Sequence, residues 1–233
     1  MKFAVVAFPG SSCDDYLYVL KEVLKQEAAS ISHRDTSLQD AQCVILPGGS
    51  SYGDYLRPGA LASLSPIMDK VREFAKEGGL VLGIGNGFQI LLETGLLPGA
   101  MLPNSSLRFV CRQQTLKVEN ANTPFTGCYA QGQIIQMPIA HGQGNYYLDP
   151  ASLKKLQENN QIVFRYTDEA GNATEEANPN GSVDNIAGII NQGGNVLGMM
   201  PHPERSCEAA LGSTGGLGLF QSAIEFLAER VKA

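Results

Sequence analysis

Gly83, Gly85 and Gly87 stand at alternate positions between an apolar run, Leu80 to Ile84, and an apolar helical pattern that begins at Asn86. The spacing G-x-Nuc-x-G is the frame of a nucleophile elbow, a strained strand-to-helix turn that lifts one side chain out of a sheet. The flanking glycines are expected because such a turn leaves no room for a Cβ. The middle position calls for Ser or Cys. It holds Gly85, so the frame of an active site is present and its nucleophile is missing.

A second constellation lies near the far end, in Met200-Pro201-His202-Pro203-Glu204-Arg205. A residue before proline is pushed out of the helical region, so Met200 and His202 should both be extended, and residues two apart can then face one side. A carboxylate beside a histidine fixes its tautomer and raises its basicity. A bare His-x-Glu reads best as an incidental surface pair. Two prolines and a position at the end of a strand shift the balance toward catalysis. Gly48-Gly49 also ends a strand. It is an ordinary tight turn or a place where a backbone N–H serves an oxyanion. Asn86, directly after the nucleophile position, would supply the other oxyanion N–H. Gln89 follows one helical turn after Gly85 and could line the same pocket. For His141, in Ala140-His141-Gly142-Gln143-Gly144, a structural loop role and a pocket role fit equally. His33 reads as a partly exposed strand residue. Cys13, at a helix start, should have a lowered thiol pKa but lacks an elbow. Cys43 reads as core, and Cys111, Cys128 and Cys207 carry no case for a site.

The elements that must position these residues follow from hydrophobic pattern. Strands are expected at Lys2 to Phe8, Ser30 to His33, Gln42 to Leu46, Leu80 to Ile84, Ile162 to Tyr166, Ile186 to Asn191 and Asn195 to Met200. Helical faces recur at Leu17, Leu20 and Leu24, with Asp14 as cap, and at Ile67, Val71 and Phe74. Asn86 to Leu92 opens the elbow helix, and Phe220, Ile224, Leu227 and Val231 make a closing one. Ser50 to Ala62 should lie as a loop over the sheet's carboxyl edge. Ser106 to Glu119 and Ile134 to Ile139 alternate like added antiparallel strands. The order implies an α/β fold with a mainly parallel sheet covered by helices on both faces, whose functional residues gather at the carboxyl ends of strands.

The chain has 233 residues, 43% of them hydrophobic and 17% charged, with net charge −6. One elaborated domain spanning 1–233 is expected. Nothing basic enough for nucleic acid is present. The apolar run from Lys2 to Pro9 is too short for a signal peptide or a membrane span. Five cysteines without metal spacing point to reduced thiols, a cytoplasmic location and no metal site.

With these pieces placed, the chain resembles the class I glutamine amidotransferases, and among them the family of glutaminase subunits of phosphoribosylformylglycinamidine synthases. The resemblance covers nearly the whole chain. It rests on F-P-G-S-S-C-D from Phe8, P-G-G-S-S-Y-G-D-Y-L-R from Pro47, G-I-G-N-G-F-Q from Gly83, I-A-H-G from Ile139, N-P-N-G-S from Asn178 and G-M-M-P-H-P-E-R from Gly198. It implies a flavodoxin-like three-layer fold and a cysteine at position 85 that attacks the glutamine side-chain amide. His202 would shuttle the proton, Glu204 would orient it, and the N–H groups of Gly49 and Asn86 would hold the oxyanion. Gln89, His141 and the Gly142 backbone would help bind glutamine. It also implies two partner subunits, a large synthetase and a small accessory protein. The synthetase would use the ammonia with ATP and Mg to convert formylglycinamide ribonucleotide to the amidine in purine biosynthesis, and this chain would carry no cofactor. The chain has no phosphate-binding loop of its own. It departs from the family pattern at Gln143, where Glu is usual, and at Gly85. A glycine there is open to three origins: an introduced replacement, a natural loss, or a modified cysteine written as glycine.

Overall fold

A computed structural model describes residues 1–232. The β-branched run Lys2–Ala7 forms β1, followed by a short helix α1 (Asp14–Tyr18) that continues as a wider π-type turn over Val19–Val23. Strands β2 (Glu27–Ser32) and β3 (Cys43–Leu46) precede helix α2 (Pro66–Lys76), strand β4 (Leu80–Ile84) and helix α3 (Asn86–Glu93). The central part carries β5 (Ala100–Leu102), β6 (Val110–Val118), β7 (Ile134–His141), β8 (Asn145–Tyr147), α4 (Pro150–Glu158) and β9 (Ile162–Tyr166). Strands β10 (Ile186–Ile190) and β11 (Val196–Met199) and helix α5 (Leu217–Lys232) complete it.

The main sheet has nine strands in the order β2-β1-β3-β4-β11-β10-β9-β6-β7. From β2 to β11 every pairing is parallel, and from β11 to β7 every pairing is antiparallel. The β-α alternation predicts the parallel part, and the added strands are antiparallel, so the sheet of this three-layer α/β fold is mixed. Alternate residues of one strand go to opposite faces. Phe3 and Val5 join the core under α1 and α5, while Ala4 and Val6 join the core under α2 and α3.

Several local expectations change. Asp14 does not cap α1. Cys13 occupies the cap without a side-chain bond, and Asp14 sits in the first turn. The buried face of that region is Tyr16, Val19 and Leu20, with Leu17 and Leu24 only half-buried, because the π turn rotates the chain away from the 3.6 period. β2 begins three residues earlier than the expected Ser30 and ends at Ser32, one residue before His33. Val231 is exposed at the fraying end of α5. The pattern gave no sign of β5, β8 or α4. The last starts on Asp149, whose Oδ1 accepts the N–H groups of Ala151 and Ser152, both at 3.1 Å.

Candidate active site

β3, β4 and β11 run side by side, with Leu46 opposite Gly83 and Gly83 opposite Gly198. Their carboxyl ends therefore deliver Gly48-Gly49, Gly85 and His202 to one place. The elbow geometry is explicit. A Cβ at Gly87 would fall 1.9 Å from the Leu46 carbonyl oxygen, and one at Gly83 would fall 2.7 Å from that of Gly87. Both flanking positions are closed to any other residue. Gly85 sits at φ 55°, ψ −111°, outside the regions L-residues ordinarily occupy. Its N–H is held by the Met199 carbonyl at 2.8 Å.

His202 is buried, and its backbone N–H is fixed to the Pro138 carbonyl of β7 at 2.8 Å. Its Nδ1 lies 2.7 Å from Oε1 of Glu204. A carboxylate accepts only, so Nδ1 carries the proton and Nε2 is left as the basic atom. The chain makes this pair by a route the spacing did not foresee. Residues 203–205 form a turn of 3₁₀ helix, and that turn, not an extended segment, folds Glu204 back onto the ring. Gly48 is needed here as well, since a Cβ on it would press to 2.7 Å from His202 Cε1.

Ser12 N–H to Gly48 O and Ser50 N–H to Gly10 O, both 2.9 Å, bracket Gly49 and leave its own N–H outside the pairing. Asn86 is the first residue of α3, where a helix leaves N–H groups without intrahelical partners. Its side chain ties the elbow to the neighbouring loop. Oδ1 accepts Ser51 N–H at 3.1 Å, and Nδ2 donates to Asp54 Oδ1 at 3.2 Å and to Gln89 Oε1 at 2.9 Å. Gln89 in turn donates to the Gln143 carbonyl at 2.7 Å. Gly85, Gly49, Asn86, Gln89, His141, Gly142 and His202 line a single cavity of about 560 Å³, within the range of small-molecule sites.

His141 is a wall of that cavity whose two nitrogens are both engaged. Nδ1 meets Asn104 Oδ1 at 3.1 Å and Nε2 meets the Asn180 amide nitrogen at 3.4 Å. Desolvation, and then the positive charge His202 can carry, lower its pKa to about 4. The Gly142 carbonyl accepts Asn104 N–H at 3.0 Å, so only its N–H remains for a ligand. Asn104, Asn180, Asp54 and Arg205 were not singled out from the sequence. Asn180 lies in the N-P-N-G-S stretch, whose side chains fold onto their own backbone. Asp54 and Arg205 also line the cavity.

The expectation for Cys13 is overturned. Burial raises its thiol pKa, the reverse of a helix-start effect, and the hydrogen bond to the Ser11 hydroxyl only partly offsets it. Cys43 is core, and burial pushes Cys207 up to about 12. All five cysteines are free. His33 ends up just past β2, half-buried and hydrogen-bonded to the Tyr52 hydroxyl at 2.8 Å. No helix among the described residues is long and apolar enough to cross a membrane.

An elbow frame with glycine at its apex, a histidine–carboxylate pair and a glycine turn on the carboxyl edge of an α/β sheet are the arrangement expected of a glutamine amidotransferase, and the family match gives that class. Residues 1–226 match the family described as the CobB/CobQ-like glutamine amidotransferase domain. The phosphoribosylformylglycinamidine synthase subunit PurQ of Moorella thermoacetica is 58% identical over 227 residues, 97% of this chain and 96% of that one. The chain belongs to this family, the PurQ subunits within the class I glutamine amidotransferases. A chain in the structure of PurLQS from Thermotoga maritima superposes with a TM-score of 0.85 at 43% identity, over 97% of this chain and 98% of that chain. A more distant glutamine amidotransferase of Thermotoga maritima shares the fold, with a TM-score of 0.57 at 14% identity over 100% of this chain and 85% of that chain.

Proposed function

We propose that this chain is the glutaminase subunit of phosphoribosylformylglycinamidine synthase, held at Gly85 in a form that does not hydrolyse glutamine. The observation that carries the reading is the approach of His202 to the elbow: a Cβ at position 85 would stand 3.3 Å from His202 Nε2. A thiol there would lie beside the basic nitrogen. His202 would take the thiol proton as the sulfur attacks the glutamine side-chain amide, then return it to the departing ammonia. Glu204 would keep the ring in the Nδ1–H tautomer. The N–H groups of Gly49 and Asn86 would receive the developing oxyanion, while Gln89, His141 and Gly142 shape the glutamine pocket. The ammonia would pass to a large synthetase subunit, with a small accessory subunit in the complex, for ATP-dependent amidine formation.

Loss of the nucleophile from a catalytic triad costs on the order of 10⁶ in kcat. The chain as written therefore leaves the complex dependent on free ammonia. A second reading has a specific observation behind it: φ of 55° is a conformation that glycine adopts without strain. On that reading the subunit has dispensed with glutaminase chemistry and serves to dock on the synthetase. The complex assembled with this chain should form product from ammonium salts and not from glutamine. Product from glutamine at the ammonium rate would overturn both readings.

A further inference from the structure

The catalytic carboxylate has one oxygen that the pair with His202 does not account for. Oε1 of Glu204 faces Nδ1 of His202, but Oε2 is buried and, among the described residues, has no hydrogen-bond partner. A buried carboxylate oxygen left without a donor is costly. The polar neighbours on its own turn are engaged elsewhere. The Ser206 hydroxyl and the Cys207 thiol both donate to the Pro203 carbonyl, at 3.4 and 3.1 Å. The Arg205 guanidinium lies toward Oε1 and Asp15, at 3.5 and 3.6 Å.

Tyr16, fully buried on α1, remains. Its oxygen accepts the Gly48 N–H at 3.0 Å, and no acceptor for its own proton is met among the described residues. Gly48 touches the histidine: a Cβ on it would be 2.7 Å from His202 Cε1 and 3.5 Å from the Tyr16 oxygen. The phenol, the glycine turn and the catalytic ring therefore converge. Burial, and next to it the Glu204 carboxylate, push the Tyr16 phenol well above its ordinary range, so it keeps its proton at any working pH.

We propose that Tyr16 is a positioning residue: its O–H donates to Glu204 Oε2 while its oxygen holds the Gly48 N–H. One phenol then fixes both the carboxylate that orients His202 and the turn that carries Gly49. The kinetic part of this inference rests on the glutaminase reading above, and the spectroscopic part does not.

The test is Tyr16→Phe, which keeps the ring and removes only the hydroxyl. In the full chain as written, nuclear magnetic resonance of the His202 ring should show the Nδ1–H signal moving upfield and exchanging faster with water. In a Glu204→Ala background the same substitution should add nothing to the His202 signals. In the Gly85→Cys chain within the synthetase complex, Tyr16→Phe should lower kcat about 10- to 100-fold, the worth of a hydrogen bond to a charged group, with KM changed less than about twofold. If Tyr16→Phe does not fold, Glu204→Ala alone should shift the Tyr16 Cζ resonance. Unchanged His202 signals in Tyr16→Phe, an equal change in both backgrounds, or a Tyr16 resonance indifferent to Glu204→Ala would each overturn the proposal. An inactive Gly85→Cys chain would count against the glutaminase reading and leave the resonance measurements to decide the role of Tyr16.

Discussion

A Cβ at Gly85 would stand 3.3 Å from Nε2 of His202 and 3.2 Å from its Cε1. This one approach sets both the chemistry available to position 85 and its effect on stability. Any side chain there must adopt a backbone at φ 55°, ψ −111°, strain of a kind that costs about 1–3 kcal/mol. The histidine must also yield by a few tenths of an ångström. Glycine carries more unfolded-state entropy, but that term is only about 0.4–1 kcal/mol. The chain as written is therefore expected to be as stable as Gly85→Cys or more so, compared by urea midpoints. A clearly higher midpoint for the cysteine form would contradict a strained elbow.

In a Gly85→Cys background, His202→Ala should remove the larger share of activity, about 10²- to 10⁴-fold as for a general base. Glu204→Ala should cost less, because the carboxylate orients the ring and does not move the proton. Steady-state kinetics with glutamine distinguishes them. Small and equal losses would refute the pairing of His202 with position 85.

The elbow was legible in the sequence because its constraints are steric and local: three glycines, two of which a Cβ could not replace. The parallel part of the sheet was legible because β1, β3, β4 and β11 are buried on both faces and read as continuous apolar runs. His202 and Glu204 were found by spacing, but the turn that joins them was not. Period-two reasoning assumes an extended chain, and the single 3₁₀ turn at 203–205 meets the same spacing by another path. Asn104 and Asn180 could not be read in advance. Each acts through a fold-dependent contact with His141, 37 and 39 residues away. Tyr16 was hidden for the same reason, since its partner Gly48 lies 32 residues on.

Asn86→Ala should destabilise the chain by about 1–3 kcal/mol. It strips the buried Ser51 N–H of its acceptor and leaves Asp54 and Gln89 without their shared donor. Denaturant unfolding measures this. A change below about 0.5 kcal/mol, ordinary for a surface substitution, would show that the network is not formed.

Acid should weaken the fold through His141. Its folded pKa of about 4 lies below the ordinary histidine value of 6.5. Between those values the unfolded chain binds the proton more readily, so stability rises with pH there. The contribution is full above about pH 6.5 and is lost as pH falls toward 4, on the order of 3 kcal/mol in all. The loss between pH 7 and pH 4.5 should be smaller in His141→Asn than in the parent. Parallel stability curves would mean that His141 is not held neutral between Asn104 and Asn180.

The most direct test is glutamine hydrolysis by the chain as written beside its Gly85→Cys variant, each assembled with the synthetase and accessory subunits. Background turnover is expected from the first. A gain of at least about 10³-fold is expected from the second, abolished by thiol alkylation. Turnover by the Gly85 chain at the variant's rate, or a variant that stays at background, would contradict the assignment of position 85 as the nucleophile site.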